Sequence, residues 1–568
     1  MTHASVTRPA KTWHRPCLFA VALCVLTSDA QGQLRIVSYN TTGPINPNLE
    51  IVLRAIGEEE VNGIARSIDV LLLQEQNSAS SNTQSFVNYL NSVYGAGTYG
   101  RGVLNGGPPT SSIRQTIVYN THSVDLLAEN AFGNTISTPQ NPAQERQTLR
   151  FQLRPEGYES SADFYAYNSH YRADTSANDQ AQRAAEATTI RTHATLGSDT
   201  LGEGAHAIFA GDYNMRSSSE AAFQTLIAPG PGQANDPINR LGTWNNNSGF
   251  ADVHTQAPCT SGCGAGGGMD DRFDFQLVTG EFLDAEGLSL ISGSYHAFGN
   301  NGSTFNVNIN ERNASNQLIN TYPFNGVTTY TNAQILDALR NATDHLPVVA
   351  DYQLPAVLQA VAGEIPTMLN LGQEFNLAIN VSNAANVLAA IGADELDYSL
   401  TTTGDVSGSF LDQMDPALGG GNMHLVALDT STPGMKSGTI SIMSSSQAVQ
   451  NSLISIPVNY QVVSPLLTGD YNQNGEVDAA DYVLWRDTFG QNIAGGTGAD
   501  GNGDGTIDEA DYAVWRSHFG QSASESLAAV AARSDIAVPE PSTGLLILLA
   551  VCLVPRVGGT LGLWTRKS

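Results

Sequence analysis

Apolar and polar positions along this chain follow three different rhythms. From residue 34 to 354, short apolar runs with polar tips alternate with stretches whose apolar residues recur every three to four positions. The runs "LRIVSYN" (34–40), "IDVLLLQEQ" (68–76), "RQTIVYN" (114–120), "ERQTLRFQL" (145–153), "DFYAYNSH" (163–170), "AHAIFAGDYN" (205–214), "DRFDFQLV" (271–278) and "HLPVVADYQL" (345–354) predict strands. "NLEIVLRAIGEEEVNGIA" (48–65), "TQSFVNYLNSVYG" (83–95) and "NDQAQRAAEATTIRTHATLG" (178–197) predict helices, the last closed by Gly197. Strands and helices interleaved over such a length predict an α/β sandwich with a sheet-centred core. After Pro355 the rhythm changes to short alternating runs, such as "FNLAINVS", "HLVALDTS", "SGTISIMSSS" and "LISIPVNYQVV", spaced by Gly, Ser and Asn. These predict a β-sandwich of about 100 residues. It holds no catalytic cluster and reads as a spacer or accessory module.

The third rhythm is a repeat, with "DYNQNGEVDAADYVLWRDTFG" from 470 matched by "DGNGDGTIDEADYAVWRSHFG" from 500. A calcium loop of the EF-hand kind needs oxygen ligands at positions 1, 3, 5, 7, 9 and 12 and Gly at 6. The first copy offers Asp470, Asn472, Asn474, the Glu476 carbonyl, Asp478 and Asp481 around Gly475. The second offers Asp500, Asn502, Asp504, the Thr506 carbonyl, Asp508 and Asp511 around Gly505. Val477 and Ile507 occupy position 8, where paired loops pack together, and Asp replaces the usual Glu at position 12. With the helical segments behind both loops, the region resembles a type I dockerin module. The resemblance implies two Ca2+ ions and a cohesin-like partner.

Charge narrows the partners. The chain carries 54 acidic and 26 basic residues, a net charge of −28, and Lys occurs only at Lys11, Lys436 and Lys567. The whole-body field opposes a polyanion, so a nucleic-acid ligand needs a local basic patch. Arg172, Arg183 and Arg191 are candidates for one, with ordinary surface charge as the plainer reading. At the N-terminus, Lys11, His14 and Arg15 precede "CLFAVALCVL" and then small residues, the pattern of an export signal cleaved near 30–32. Of the remaining cysteines, Cys259 and Cys263 in "CTSGC" suit a small disulfide in an oxidising compartment, since two thiolates are too few for structural zinc.

Candidate chemistry lies at strand ends of the first region. "VSYN" presents Asn40, "LLLQEQ" Glu75, "YNSHY" His170, "FAGDYN" Asp212 and Asn214, "DRFDF" Asp274, and "NATDHLPV" Asp344 and His345. Any one of them alone is unremarkable: Asp212 with Asn214 can form an Asx turn, and Asp270 and Asp271 read as solvated loop charge. In this order and context they resemble the endonuclease/exonuclease/phosphatase superfamily, the deoxyribonuclease-I-like fold, over residues 34–354. The resemblance implies a four-layered α/β sandwich and cleavage of phosphate esters with Mg2+ (or Mn2+) held by Asn40, Glu75 and Asp344. It further implies that Asp212 handles the attacking water, that Asn214 contacts the phosphate or scissile oxygen, and that Asp274 orients His345. His170 would serve the leaving oxygen and Arg146 the phosphate. Which histidine is acid and which is base stays open.

At the other end, "VPEPS" (538–542) precedes the apolar run "GLLILLAVCLV" and late basic residues. This resembles the PEP-CTERM sorting signal of exported bacterial proteins. The run has 11 residues, short of the ~20 a membrane-spanning helix needs, which suits a transient membrane stage with sorting machinery. The expected organisation is a signal peptide (1–32), a phosphoesterase domain (33–354), a β-sandwich (355–464), a dockerin-like module (465–522), a linker (523–537) and a sorting segment (538–568). The expected function is an exported phosphoesterase of the bacterial surface or medium, with nucleic acid the first substrate. A phospholipid, sphingomyelin or small phosphate-ester hydrolase, or a non-catalytic calcium-dependent surface protein, are the alternatives.

Overall fold

The computed structural model describes residues 33–104, 114–133, 145–195, 201–202, 204–464 and 466–522. The export signal, the linker, the sorting segment and Gly197 lie outside them. No helix among the described residues is long and apolar enough to cross a membrane.

Strands β1 (Leu34–Asn40), β2 (Val70–Gln74), β3 (Tyr99–Arg101) and β4 (Thr116–Asn120) form one sheet with the later β10 (His296–Ala297) and β11 (Val348–Tyr352), in the order β10-β11-β1-β2-β4-β3. The strands β5 (Val124–Phe132), β6 (Thr148–Pro155), β7 (Phe164–His170), β8 (His206–Asp212) and β9 (Asp274–Val278) form a second, ordered β9-β8-β7-β6-β5. Their facing sides share one core, with Ile36, Val70 and Leu72 meeting Phe151, Phe164 and Ile208. Because successive strand residues point to opposite faces, Val37, Tyr39 and Leu71 turn outward. There they pack on helices α1 (Pro47–Glu58), α2 (Gln84–Tyr94) and α5 (Asn332–Ala342). Tyr167, Phe209 and Phe275 do the same beneath α3 (Ala177–Thr195) and α4 (Ala221–Ile227). Helix–sheet–sheet–helix is the expected four-layered α/β sandwich. Burial on both faces explains why β2 and β8 read as near-continuous apolar runs.

Helix α1 begins where Asn46 caps the amides of Asn48 and Leu49 and Pro47 opens the first turn. It stops at Glu58, short of the expected 65. Asn62 and Gly63 take positive φ, and Glu60–Val61 pairs with Ile64–Ala65 in a small hairpin. An Asn-Gly pair favours that turn and here outweighs the helical spacing. Buried Arg35 bolts β1 to its surroundings: Nε and Nη2 meet the Asp351 carboxylate, and Nη1 donates to the carbonyls of Ile56, Glu59 and Arg66.

The strands β12 (Leu358–Ala362), β13 (Met368–Asn370), β14 (Asn376–Asn383), β15 (Leu396–Gly404), β16 (Val406–Ser407), β17 (Ser409–Asp415), β18 (Asn422–Leu428), β19 (Gly434–Ser444) and β20 (Leu453–Val463) build two sheets, β12-β14-β18-β16 and β13-β20-β19-β15-β17. Leu377, Ile379, Leu400, Val426, Ile440 and Val458 fill the space between them. This sandwich sits directly on the α/β unit. The inter-sheet core of that unit runs on into Ala385, Val387, Ala393 and Ala417, and the Tyr158 hydroxyl donates to the Pro355 carbonyl (2.8 Å).

At the seam, buried Asp394 accepts the Gly287 amide on Oδ2 (2.8 Å) while its Oδ1 has no partner. Burial, with Glu286, Glu395 and Asp397 nearby, pushes its carboxyl up to about 7. A raised acid favours the protonated folded state, so this contribution is present below the ordinary carboxyl range and is lost as pH rises toward 7. Asp394→Asn keeps the acceptor and removes the charge. It is expected to stabilise the seam at pH 8 by about 2 kcal/mol and to change little at pH 4, as read by thermal unfolding.

Helices α6 (Ala479–Thr488) and α7 (Glu509–His518) complete the described chain.

Candidate active site and calcium loops

The two sheets bring their polar strand ends to one edge. Asn40 ends β1 in register with Gln74, the last residue of β2, and Glu75 follows with φ 58°. In the other sheet, Asp212 at the end of β8 stands level with His170 of β7 and Asp274 of β9. Gly211 is required here: its φ is +135°, and a Cβ would lie 1.9 Å from the Ser169 carbonyl oxygen. Beneath this row, two buried amides tie the sheets together. Asn168 donates to the Leu73 and Thr116 carbonyls, and Gln276 to those of Ile36 and Val348.

Asn40 is the hub of the site. Its Nδ2 lies 3.3 Å from Glu75 Oε1, 3.2 Å from Asp212 Oδ2 and 3.5 Å from His345 Nε2. His170 Nε2 approaches Asp212 Oδ2 at 3.5 Å and Glu75 Oε1 at 3.9 Å. His345 Nδ1 sits 2.8 Å from Asp274 Oδ2, the geometry by which a carboxylate fixes an imidazole. Burial pulls the His345 pKa down, but the carboxylates of Asp274 and Asp212 prevail and hold it well above the ordinary value. Burial pushes Asp212 up to about 7, helped by Asp274 and Glu75 and opposed by His345. Six of the expected residues, Asn40, Glu75, His170, Asp212, Asp274 and His345, thus form one connected cluster.

The other three lie around it. Asn214 (φ 50°) donates its backbone amide to Asp212 Oδ1 and its Nδ2 to the Tyr171 carbonyl, so it braces the turn after β8. The Arg146 guanidinium gives Nη1 to the same carbonyl (2.7 Å); burial lowers its pKa, with Glu186, Asp212 and Glu75 acting the other way. Asp344, expected beside Glu75, accepts the Ala265 amide (2.8 Å) and has Thr343 and Thr42 for hydroxyl neighbours. It follows from sequence adjacency: with His345 turned into the cluster, its neighbour points to the rim.

Three participants escaped the sequence reading. Gln256 Nε2 lies 2.8 Å from His345 Nε2, so the imidazole is held between Asp274 and an amide. Thr255 Oγ1 accepts the amides of Phe273 and Asp274 at the start of β9. Glu186, buried on α3 and pushed up to about 7 by burial, accepts the backbone amides of both Arg146 and Arg172. Residues 255–265 therefore form a strap over the Asp274–His345 pair, and the expected Cys259–Cys263 disulfide closes it. The "CTSGC" pair marked the strap, but nothing marked Gln256 itself. Gln256→Leu is expected to lower kcat on a phosphate ester about tenfold, the loss of roughly one hydrogen bond. Gln256→Glu is expected to move the pH profile instead, and pH–rate curves of the two variants separate these outcomes.

The three arginines weighed as a basic patch or as ordinary surface charge are engaged with partners of their own. Arg183 is buried with both Nε and Nη2 on Glu220, Arg172 pairs with Asp179 (2.9 Å), and Arg191 donates to the Leu226 and Gly232 carbonyls. Of the three only Arg183 is buried, and Arg172 stays at the surface with its charge offset by Asp179. Asp270 and Asp271 are also less solvated than expected. Partial burial, with Asp271 nearby, raises the Asp270 carboxyl to about 6, and Asn245 donates to Asp271.

Among the described residues no three acidic, histidine or cysteine side chains are grouped to hold a metal ion, but two donors suited to a divalent cation stand side by side. Asn40 Oδ1 is buried without a hydrogen-bond partner, and the adjacent Glu75 carboxylate supplies the anionic oxygen that Mg2+ prefers.

In the C-terminal repeat, Asp470, Asp481, Asp500 and Asp511 are buried carboxylates met by backbone amides. Asp470 accepts from Asn474 and Gly475, Asp481 from Asn472 and Asp478, Asp500 from Gly503 and Gly505, and Asp511 from Asn502 and Asp508. Asn472 and Asn474, and likewise Asn502 and Asp504, turn their side-chain oxygens onto the next amides of each loop. Asp478 and Asp508 cap α6 and α7. Gly475 and Gly505 take φ of 90° and 86° at the sharp turn. Among the described residues none of the four buried carboxylates has a basic side chain as an ion-pair partner, which is the charge deficit a Ca2+ ion would fill. Val477 and Ile507 are buried, but each pairs across the repeat and not with the other. Val477 bonds Gly520 and Gln521 behind α7, and Ile507 bonds Gly490 and Gln491 behind α6. Trp485 and Trp515 cross in the same way, onto the carbonyls of Asp508 and Asp478.

The α/β unit is thus a two-sheet sandwich with an acid–amide–histidine cluster at its sheet ends. Among solved structures it is similar to the human Nocturnin catalytic domain with bound sulfate (12% identity; 56% of this chain and 94% of that one; TM-score 0.33). It is also similar to an endonuclease/exonuclease/phosphatase family protein from Bacteroides thetaiotaomicron (13%; 56% and 97%; 0.33). A third is a mannosyl-6-phosphatase from the same organism (14%; 56% and 99%; 0.32). Residues 468–519 match the family model of the Dockerin type I domain, and this part of the chain is such a domain. None of the curated proteins matches the sequence.

Proposed function

We propose that residues 33–354 hydrolyse a phosphate ester with the help of Mg2+ or Mn2+. The dockerin domain takes two Ca2+ ions and docks a cohesin-like partner, and the protein works at or beyond the bacterial cell surface, delivered by its terminal segments. The observation that carries the catalytic reading is the cluster itself: Asn40 within hydrogen-bond reach of Glu75, Asp212 and His345 at once.

In this reading Asn40 and Glu75 hold the cation, with Asp344 at the rim as a further carboxylate. The cation supplies charge neutralisation at the phosphoryl oxygens. Asp212 Oδ2 orients the attacking water and accepts its proton, which a carboxyl held near 7 does well at neutral pH. His345, kept protonated by Asp274, donates from Nε2 to a phosphoryl oxygen; until substrate arrives that N–H is met by the Gln256 side-chain amide turned to present its oxygen. His170 stands on the far side of Asp212 and serves the leaving oxygen, Arg146 steadies the phosphate, and Asn214 fixes the turn that aims Asp212. Nucleic acid is the substrate favoured by the resemblance read from the motifs.

Glu75→Gln is expected to raise the Mg2+ concentration for half-maximal hydrolysis at least tenfold while the thermal midpoint stays put. An unchanged metal requirement would remove Glu75 from the metal site.

A further inference from the structure

A pocket of about 310 Å3 lies behind the Asp274–His345 pair. Asp274 is the one member of the cluster that lines it among the described residues. Its inner end is built from Asp274, Thr255 and Val348, all buried, and its outer end is the half-exposed Arg240–Asp252 ion pair. Two polar atoms on these walls have no hydrogen-bond partner among the described residues. Asp274 gives Oδ2 to His345 Nδ1, but its Oδ1 is buried and accepts from no donor. Arg240 gives Nη2 to the Gly249 carbonyl and to Asp252, but its Nε is buried and meets no acceptor. Buried polar groups are seldom left in this state. The inner end of the pocket therefore calls for a donor and the outer end for an acceptor.

The charges around the pocket narrow the ligand further. Asp274 is balanced by His345 and Arg240 by Asp252. His296 is balanced by Glu59 at 3.0 Å, and its other ring nitrogen meets the Ser294 carbonyl. An entering ion would add an unpaired charge to walls already in balance, which is costly away from water. Between the two ends, Ile238, Val253 and Ala297 offer apolar walls. A hydroxyl both donates and accepts, so a short carbon chain with hydroxyls toward its ends meets both unpartnered atoms and the apolar walls between them. The volume matches about ten waters at ~30 Å3 each, room enough for one such molecule.

We infer that this pocket binds a short uncharged diol or triol, and that its occupancy is felt in hydrolysis through Asp274, the positioning residue of His345. The binding stands on the pocket alone, and the effect on hydrolysis rests on the phosphoesterase reading. The test titrates the full chain with glycerol and with 1,4-butanediol, followed by saturation-transfer NMR. Beside it stand Ala297→Leu, which fills the pocket, and Arg240→Met, which keeps the stem and removes the unpartnered donor. Neither residue belongs to the catalytic cluster, and circular dichroism checks that each variant is folded. The expected result is saturable binding in the millimolar range, weakened about tenfold by either substitution, as for the loss of one good hydrogen bond. Saturating diol is expected to change kcat on a phosphate ester at least about twofold with KM unmoved, and to leave Ala297→Leu indifferent. Absence of saturable binding, or binding that both variants retain, overturns the inference and leaves the pocket to water. Binding that leaves kcat unchanged overturns the link through Asp274. A chain that binds the diol but hydrolyses no phosphate ester overturns that link and the phosphoesterase reading, while the site stands.

Discussion

His345→Asn lowers kcat on a phosphate ester by about a thousandfold, within the range a positioned acid or base contributes, while the fold stays intact. The expectation comes from geometry. His345 is buried, its Nδ1 is fixed by Asp274 at 2.8 Å, and its Nε2 faces Asn40, Asp212 and Gln256. Asp274→Asn should cost nearly as much, because an amide at that position can neither fix the donor tautomer nor sustain the imidazolium. Groups that act as a unit are not additive, so the double variant should be no slower than His345→Asn alone. Losses that multiply in the double variant would mean that Asp274 acts on the reaction by a separate route. Circular dichroism on each variant separates a chemical loss from a folding loss, since Asp274 also opens strand β9.

Calcium removal gives the other large effect, confined to the C-terminal domain. Four carboxylates there are buried against backbone amides, with no cationic side chain among the described residues to offset them. An ion that binds only the folded loop stabilises it by about 2.7 kcal/mol per site when present at a hundredfold its Kd. A domain whose small core rests on Tyr471, Trp485, Ala499 and Ile507 has little else to hold it. Chelation is therefore expected to unfold residues 466–522 and to leave the α/β unit folded, as read by hydrogen exchange resolved along the chain. Protection in 466–522 that is indifferent to calcium would contradict the assignment. Asp511→Ala should reproduce the effect of chelation, because the crossed Trp485 and Trp515 contacts make each loop depend on the other.

Strands buried on both faces were readable as near-continuous apolar runs, and the residues at their ends were readable because a strand end is where a sheet displays polar groups. The register that sets Asp212 level with both His170 and Asp274 was not readable, since it depends on pairing between segments far apart in the chain. Helix α5 escaped although Thr331 and Gln334 form a capping box at its start, and strand β5 escaped because a bulge between Leu126 and Ala128 breaks its alternation. Gln256 escaped for a different reason. A lone glutamine has no spacing signature, and only the fold of the strap brings it to His345. For Arg183, Arg172 and Arg191 the charge was visible, but the partners Glu220, Asp179 and the Leu226 carbonyl were not. The string "GDYN" occurs at 211–214 and again at 469–472, and the two copies differ physically. Asp212 ends a buried strand among distant partners, whereas Asp470 folds its own loop around itself.

The most direct test of the account is hydrolysis of a simple phosphate ester by the full chain with Mg2+, with and without chelator, beside Glu75→Gln and His345→Asn. The account predicts turnover that chelation abolishes and that both variants reduce by at least about a hundredfold. Turnover that survives both substitutions, or a folded protein that hydrolyses no phosphate ester with Mg2+ or Mn2+, would contradict it.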